Sequence, residues 1–302
     1  MFHHITIAGA GVQGSQLAVQ IAFKGYPVTV WVRSEESKQR AAAKINAVQQ
    51  NYINAIKAMS QDASFYCKSL CTPEEAKNPE ILRTMLEKAE NLAITLTTSQ
   101  EQAFADADLI IETVKEDIGI KQEFYAMLGR FLKENAVVTT NTSSLAPSEL
   151  IQNENYKERF LMLHFASPVI KCNMAEVMRI KETRDDVFES VYEFAGTIGM
   201  SPTRINSELP RGVLNFMLIP WMAKAAYLWG ADIASPQDID KTWMAGTMHC
   251  VGPFMLMDAV GLNIVYEILM TMDGANTEGH PFCKVRERVE EMMKNNQKFY
   301  NS

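Results

Sequence analysis

Residues 5–30, ITIAGAGVQGSQLAVQIAFKGYPVTV, decide the fold. A short β-branched run stops at Gly9, an apolar helical pattern follows, and a second β-branched run closes the stretch. Gly9, Gly11 and Gly14 stand at GxGxxG spacing between strand and helix. The first glycine permits a tight turn, the second lets the backbone approach a pyrophosphate, and the third lets the helix pack close to the strand. Val12 and Gln13 open the helix, where unpaired N–H groups and the positive dipole end meet phosphate oxygens. The unit reads as a dinucleotide-binding βαβ element.

Outward from it the same alternation continues. HITIAG (4–9), VTVWV (28–32), LIIE (109–112), AVVTTN (136–141), FLMLHF (160–165) and AEVM (175–178) read as strands, with helical stretches between most of them. That pattern predicts an α/β fold, an N-terminal Rossmann doubly wound sheet followed by an all-α C-terminal domain. The first domain is expected over 1–204, with a polar helical hairpin near 59–91 standing off the sheet. The second, a helical substrate and dimerisation domain, is expected over 205–302. In ASPQDIDKTW (234–243), Ser235 reads as an N-cap with Pro236 at the first helical position.

Composition narrows the class. The chain has 302 residues, 47% of them hydrophobic, and a net charge of -7. That size supports a large core and about two domains. The negative field argues against non-specific nucleic-acid or membrane-surface binding. Five cysteines, an odd number without a signal peptide, predict reduced thiols and a cytoplasmic setting. Cys67 and Cys71 lack CxxC spacing and no second pair follows, so no metal is expected. The most membrane-like run, VLNFMLIPWMAKAAYLWG (213–230), contains Asn215, Pro220 and Lys224 and reads as a core or dimer-interface helix.

The second strand departs from its usual pattern. About twenty residues after the glycine turn such folds place an acid for the adenosine ribose, and here the position is Val32, followed by Arg33 and Ser34. Arg33 and Ser34 suit a 2'-phosphate, which points to NADP(H). Ser34 equally suits the N-cap of the helix that follows, with Glu35 and Glu36 complementing its dipole and repelling a 2'-phosphate. The balance leans to NAD(H), with NADP(H) kept open.

Three further segments fall in a telling order: ADLIIETVKEDIGIKQEFY (107–125), TTNTSSL (139–145) and RFLMLHFASPVIKCNMAEVM (159–178). With the glycine turn, and with LPRGVLNFMLIP (209–220) and DIDKTWMAGTMHCVGPFMLMDAVGL (238–262), they resemble the 3-hydroxyacyl-CoA dehydrogenase family. The HFASPV and DKTWMAGT segments look like its diketoreductase-type branch. The resemblance implies hydride transfer between NAD(P) and a 3-hydroxyacyl or 3-oxoacyl group, on CoA or a related keto acid or ester, and a homodimer.

Reduction of a 3-oxo group leaves an alkoxide that needs a proton, and the reverse reaction needs a base; His serves both near neutrality. His164 closes a strand at the carboxyl edge of the sheet, and Glu176 on the next strand is placed to orient it; these are the positions of the family's His–Glu pair. Ser143 and Asn215 fall on the family's substrate-side serine and asparagine. Glu116, Lys121 and Asn141 fall on its nicotinamide-side positions. Ser167, Arg211 and Phe216 depart from the usual asparagine, glycine and arginine, and NNQKFYNS (295–302) lacks the usual glycine-rich aromatic ending. A competing reading, a non-catalytic nucleotide-binding or sensing relative, draws on these departures; the intact His, Glu, Ser and Asn set argues against it.

Overall fold

A computed structural model describes residues 2–152 and 154–300. Asn301 and Ser302, the last two residues of the unusual ending, lie outside them. The chain divides into two compact units, Met1–Val213 and Leu214–Ser302.

Among the described residues of the first unit, strands β1 (Ile5–Ala8), β2 (Val28–Trp31), β3 (Ile94–Thr97), β4 (Leu109–Glu112), β5 (Val137–Thr140), β6 (Phe160–Phe165), β7 (Met174–Arg179) and β8 (Ser201–Ile205) form one sheet in the order 3-2-1-4-5-6-7-8. Helices α1 (Val12–Phe23), α2 (Glu35–Gln61), α3 (Pro79–Glu90), α4 (Gln100–Phe104), α5 (Ile118–Leu128), α6 (Pro147–Leu150) and α7 (Asp185–Thr197) accompany it. Strands β1 to β6 run parallel. Their centre is a continuous apolar layer because β1, β4 and β5 are buried at every position, as parallel strands covered on both faces require. Strand order reverses between β1 and β4, which opens a ligand-binding crevice at their carboxyl ends.

The glycine turn lies at that reversal. Gly9, at φ +103, donates its N–H to Trp31 O (2.9 Å). A Cβ on Gly14 would overlap Gly9 O and Thr113 Oγ1, so the third glycine is what lets α1 close onto the end of β4. Inside α1, Gln20 is buried with its polar atoms satisfied, donating to Ser69 O (3.0 Å) and Ile198 O (2.6 Å) and accepting from Tyr52 Oη (2.6 Å).

Two strands escaped the sequence pattern. β3 and β8 are the sheet edges and are partly exposed, so neither carries an apolar run, and β8 tolerates Pro202 because an edge strand need not donate on its outer side. Since β8 belongs to the sheet, the first unit extends to Val213, past the boundary expected at residue 204. The hairpin expected within 59–91 is redistributed. Only α3 lies in that span as an α-helix, and its partner arm is α2, which starts at Glu35. No glycine or proline interrupts residues 35–61, so the helix propagates for 27 residues, roughly 40 Å, before Asp62 ends it.

The second unit holds α8 (Gly212–Gly230), α9 (Pro236–Thr247), α10 (Pro253–Val260), α11 (Leu262–Met270) and α12 (Pro281–Lys294), of which α8 begins within the first. Ser235 caps α9 as expected, accepting from Asp238 N. The core gathers Met222, Phe254, Met257, Val285 and Val289. Buried Asp240 accepts from Phe254 N (2.8 Å), Met255 N (2.9 Å) and Tyr300 Oη (2.9 Å), satisfying the start of α10. Phe299 packs on Trp229 and Phe254, so the unusual ending is folded into the core up to Tyr300. Among the described residues no single helix is long and apolar enough to cross a membrane.

The glycine turn generates a stability prediction. Gly14→Ala must displace Gly9 O or Thr113, and overpacking of that kind costs about 1–3 kcal/mol. Urea unfolding of the variant should show that loss; a midpoint equal to wild type would refute the close approach.

Candidate active site

The antiparallel turn of β7 against β6 sets His164 and Glu176 directly opposite each other. Nδ1 of His164 lies 2.9 Å from Oε2 of Glu176, and both side chains are buried. An ionised carboxylate only accepts, so Nδ1 carries the proton and Nε2 is the nitrogen left to exchange a proton with another group.

Phe165, the next residue, is held from two sides. Gln13 Nε2 donates to Phe165 O (3.0 Å), and Phe165 N donates to Asn141 Oδ1 (3.1 Å). Thus two residues expected at the cofactor, one from the glycine turn and one after β5, converge on the strand end that carries His164. Gln16, which the sequence did not single out, adds a second tie: Val169 N donates to its Oε1 (2.8 Å), and its Nε2 donates to Ser167 Oγ (3.2 Å). The Ser167 departure therefore keeps a polar partner.

The start of α1 fits a dinucleotide. Among the described residues no side chain caps the helix and its first turn carries no acid. A Cβ on Gly11 would meet no protein atom within 4 Å, so the missing side chain there makes room for something other than the protein itself. Val12 is exposed at the first helical position. An anion such as the pyrophosphate of NAD is suited to these N–H groups.

A second hub orders the serine loop. Glu116 Oε1 accepts from Thr142 Oγ1 (2.5 Å), Ser143 N (2.9 Å), Ser144 N (3.0 Å) and Ser144 Oγ (2.9 Å), and Oε2 lies 3.2 Å from Lys121 Nζ. Burial works against its ionisation, yet Lys121 and the hydrogen bonds from Thr142, Ser144 and Ser143 together hold its carboxyl below the usual range. Ser143 itself is exposed at the carboxyl end of β5. Lys121 is 1% exposed and is pinned between Glu116 and Glu112 (2.6 Å), so its ammonium is held by two carboxylates.

Glu112 was missed by the sequence reading. Fully buried at the end of β4, it also accepts from Val114 N, Tyr125 Oη and Thr140 Oγ1, each at 2.7 Å. An acid ending an apolar strand was the available signal.

The adenosine side is decided by packing. Val32 is buried in the core and cannot reach a ribose. Arg33 is exposed. Ser34 caps α2, its Oγ accepting from Ser37 N (3.2 Å) and donating to Ser37 Oγ (3.0 Å), the N-cap use that the sequence offered for it. Glu35 accepts from Thr98 Oγ1 (2.9 Å), and Glu36 pairs with Arg40. Asn215 lies half-buried near the start of α8, in the second unit, and Phe216 beside it is exposed. Arg211 adopts φ 77, the left-handed region that favours glycine.

A nucleotide turn at the switch point of a parallel sheet, joined through Phe165 to a buried His–Glu pair, defines a nicotinamide-dependent oxidoreductase. Residues 4–208 match the NAD binding domain of 3-hydroxyacyl-CoA dehydrogenase, and residues 213–301 match its C-terminal domain. The chain belongs to the 3-hydroxyacyl-CoA dehydrogenase family and is an NAD-dependent oxidoreductase acting on a CH–OH group. It is similar to a probable 3-hydroxyacyl-CoA dehydrogenase of Caenorhabditis elegans, 32% identical over 86% of this chain and 78% of that protein. The mitochondrial hydroxyacyl-coenzyme A dehydrogenase of Homo sapiens is 27% identical over 95% of this chain and 86% of its own. Among solved structures, a diketoreductase described for dual catalysis of dicarbonyl compounds superposes with TM-score 0.79 at 31% identity, covering 100% of this chain and 99% of that one.

Two outcomes test the serine-loop hub. Lys121→Met leaves the buried Glu112 carboxylate without its cation and should lose about 3–5 kcal/mol in chemical denaturation, since breaking a buried pair exposes the partner's desolvation cost. Because Glu116 is shifted down in the folded state, its stabilisation is present above the ordinary carboxylate range and is lost as pH falls through the lower folded value. Stability of Glu116→Gln should therefore change less than wild type between neutral and acid pH; an identical acid slope would refute the hub.

Proposed function

We propose that His164 exchanges the proton while the chain interconverts a 3-hydroxyacyl and a 3-oxoacyl group, with CoA thioesters as the principal substrate class. The buried His164–Glu176 pair carries this reading. Bound NAD(H) supplies or accepts the hydride. During reduction His164 Nε2 delivers a proton to the substrate oxygen as negative charge develops there; during oxidation it removes the hydroxyl proton. Glu176 stabilises the charged imidazole and fixes its tautomer. Ser143, on a loop ordered by Glu116, hydrogen-bonds the substrate oxygen.

The acyl-CoA reading takes its support from the family and from the Caenorhabditis elegans relative. A second reading, a free ketoester or diketone, is supported by full-length likeness to the diketoreductase. NAD(H) is the proposed coenzyme because the Ser34 hydroxyl is spent on the cap and Glu35 and Glu36 crowd the same turn with negative charge. A homodimer is proposed from the exposed Phe216, Met217, Tyr227 and Leu228 of α8, an apolar set that association would cover.

Oxidation of NADH and NADPH with acetoacetyl-CoA and with a simple diketone measures both choices, substrate class and coenzyme. His164→Ala should lower kcat by about 10²–10⁴-fold while leaving NADH affinity near wild type. Wild-type turnover in that variant would sink the assignment. NADH should exceed NADPH in kcat/KM by at least about tenfold, a difference near 1.4 kcal/mol, and Arg33→Ala should affect the two alike. Loss of NADPH activity alone in Arg33→Ala would reverse the coenzyme choice.

A further inference from the structure

Gly212 is buried at φ +66, immediately after left-handed Arg211. A Cβ built on Gly212 would overlap Oε2 of Glu176 and lie 3.0 Å from its Cδ and 3.2 Å from its Oε1. Oε2 is the oxygen bound to His164 Nδ1. The bare backbone of Gly212 therefore fills the space beside the oxygen that holds the imidazole.

The chain around Gly212 explains why it stays there. Residues two apart on a strand share a face, and the register pairs Met162 with Met178 and His164 with Glu176, so these four side chains lie on one face of β6 and β7. Leu209 and Val213 pack on Met162, Met178 and Ile205. Leu209 N also donates to Met178 Sδ (3.1 Å), and Gly212 N donates to Leu209 O (3.0 Å). Segment 209–213 is thus clamped over the methionine pair, and the clamp delivers Gly212 to the neighbouring His–Glu pair. A non-glycine residue in the left-handed region costs of order 1 kcal/mol or more and persists only where its surroundings over-determine it. The strained Arg211 marks the place where the chain is bent onto the carboxylate.

We propose that Gly212 is a positioning residue for the acid–base pair. Its missing side chain admits the one placement of the Glu176 carboxylate that grips His164 Nδ1, and its backbone prevents the carboxylate from swinging away on that side. This role rests on the proposed part of His164 in proton transfer.

The test uses the full-length enzyme with NADH and acetoacetyl-CoA, or whichever 3-oxo substrate it turns over, and compares Gly212→Ala, Glu176→Gln, both together, and Gly212→Ala with Glu176→Asp. Gly212→Ala should lower kcat at least tenfold with KM for NADH unchanged. It should also lower the apparent pKa of the essential acid–base group, read from the pH profile and from NMR titration of the His164 ring, toward the Glu176→Gln value, because a displaced carboxylate no longer favours the imidazolium. In the Glu176→Gln background the alanine should change kcat less than twofold. Shortening Glu176 to Asp should restore part of the turnover lost in Gly212→Ala, since the shorter side chain clears the new methyl. Unchanged kcat and titration in Gly212→Ala, or an equal loss in both backgrounds, would overturn the proposal. If Gly212→Ala does not fold, Leu209→Ala loosens the clamp without adding an atom and should shift the titration the same way; no shift there also overturns it. Wild-type turnover in Glu176→Gln and His164→Ala would instead refute the acid–base reading, whereas loss in those two beside a silent Gly212→Ala refutes only the role of Gly212.

Discussion

The antiparallel register between β6 and β7 is the constraint from which the chemistry follows. It puts His164 opposite Glu176 at hydrogen-bond distance, away from water. Side chains alternate faces along a strand, so a slip of one residue would send the pair to opposite faces. The register is secured by neighbours with no chemistry of their own. Met162 and Met178 pack beside the pair under Leu209 and Val213, and Phe165 is tied through both its backbone groups to Gln13 and Asn141. The glycine turn and the His164–Glu176 pair therefore form one piece of structure.

Buried charge is handled differently at the two centres. At His164 a carboxylate meets one nitrogen of a buried ring and leaves the other outside that hydrogen bond. At Lys121 one buried ammonium serves two carboxylates, Glu112 inside the fold and Glu116 nearer the surface, and leaving Lys121 or Glu112 unpaired would be costly. The second arrangement carries no reaction; it orders residues 142–144 and so places Ser143. Glycines act in the same indirect way. Gly14 permits a helix to close on a strand, and Gly212 permits a turn to close on a carboxylate, whereas Gly11 leaves open space.

Much of the fold was legible along the chain. Central strands are apolar because both their faces are covered, so six of the eight strands among the described residues showed as apolar runs, four of them built on Ile, Val and Thr. The two edge strands did not, since half their surface meets water and nothing forces an apolar pattern on them. The long α2 was legible only as a start at Ser34, because where an uninterrupted helix finds its partner depends on α3, far along the chain. In the site, the glycine turn was visible by spacing, and the pairing of His164 with Glu176 was implied by the family resemblance and is found as a hydrogen bond. For Lys121 and Ser34 spacing left two uses open, because it does not tell a charge or hydroxyl facing a ligand from one satisfied inside the fold; the N-cap offered for Ser34 is the contact found.

By itself, then, the sequence determined the α/β class and the dinucleotide turn, since strand periodicity and glycine spacing are local properties. Tertiary structure decided which polar groups remain available. Glu112 and Lys121 are spent on each other, the Ser34 hydroxyl on its own helix, and Gly212 stands against a carboxylate on another element. Those outcomes depend on which elements meet across the sheet, because a buried polar group takes whatever partner packing brings within reach.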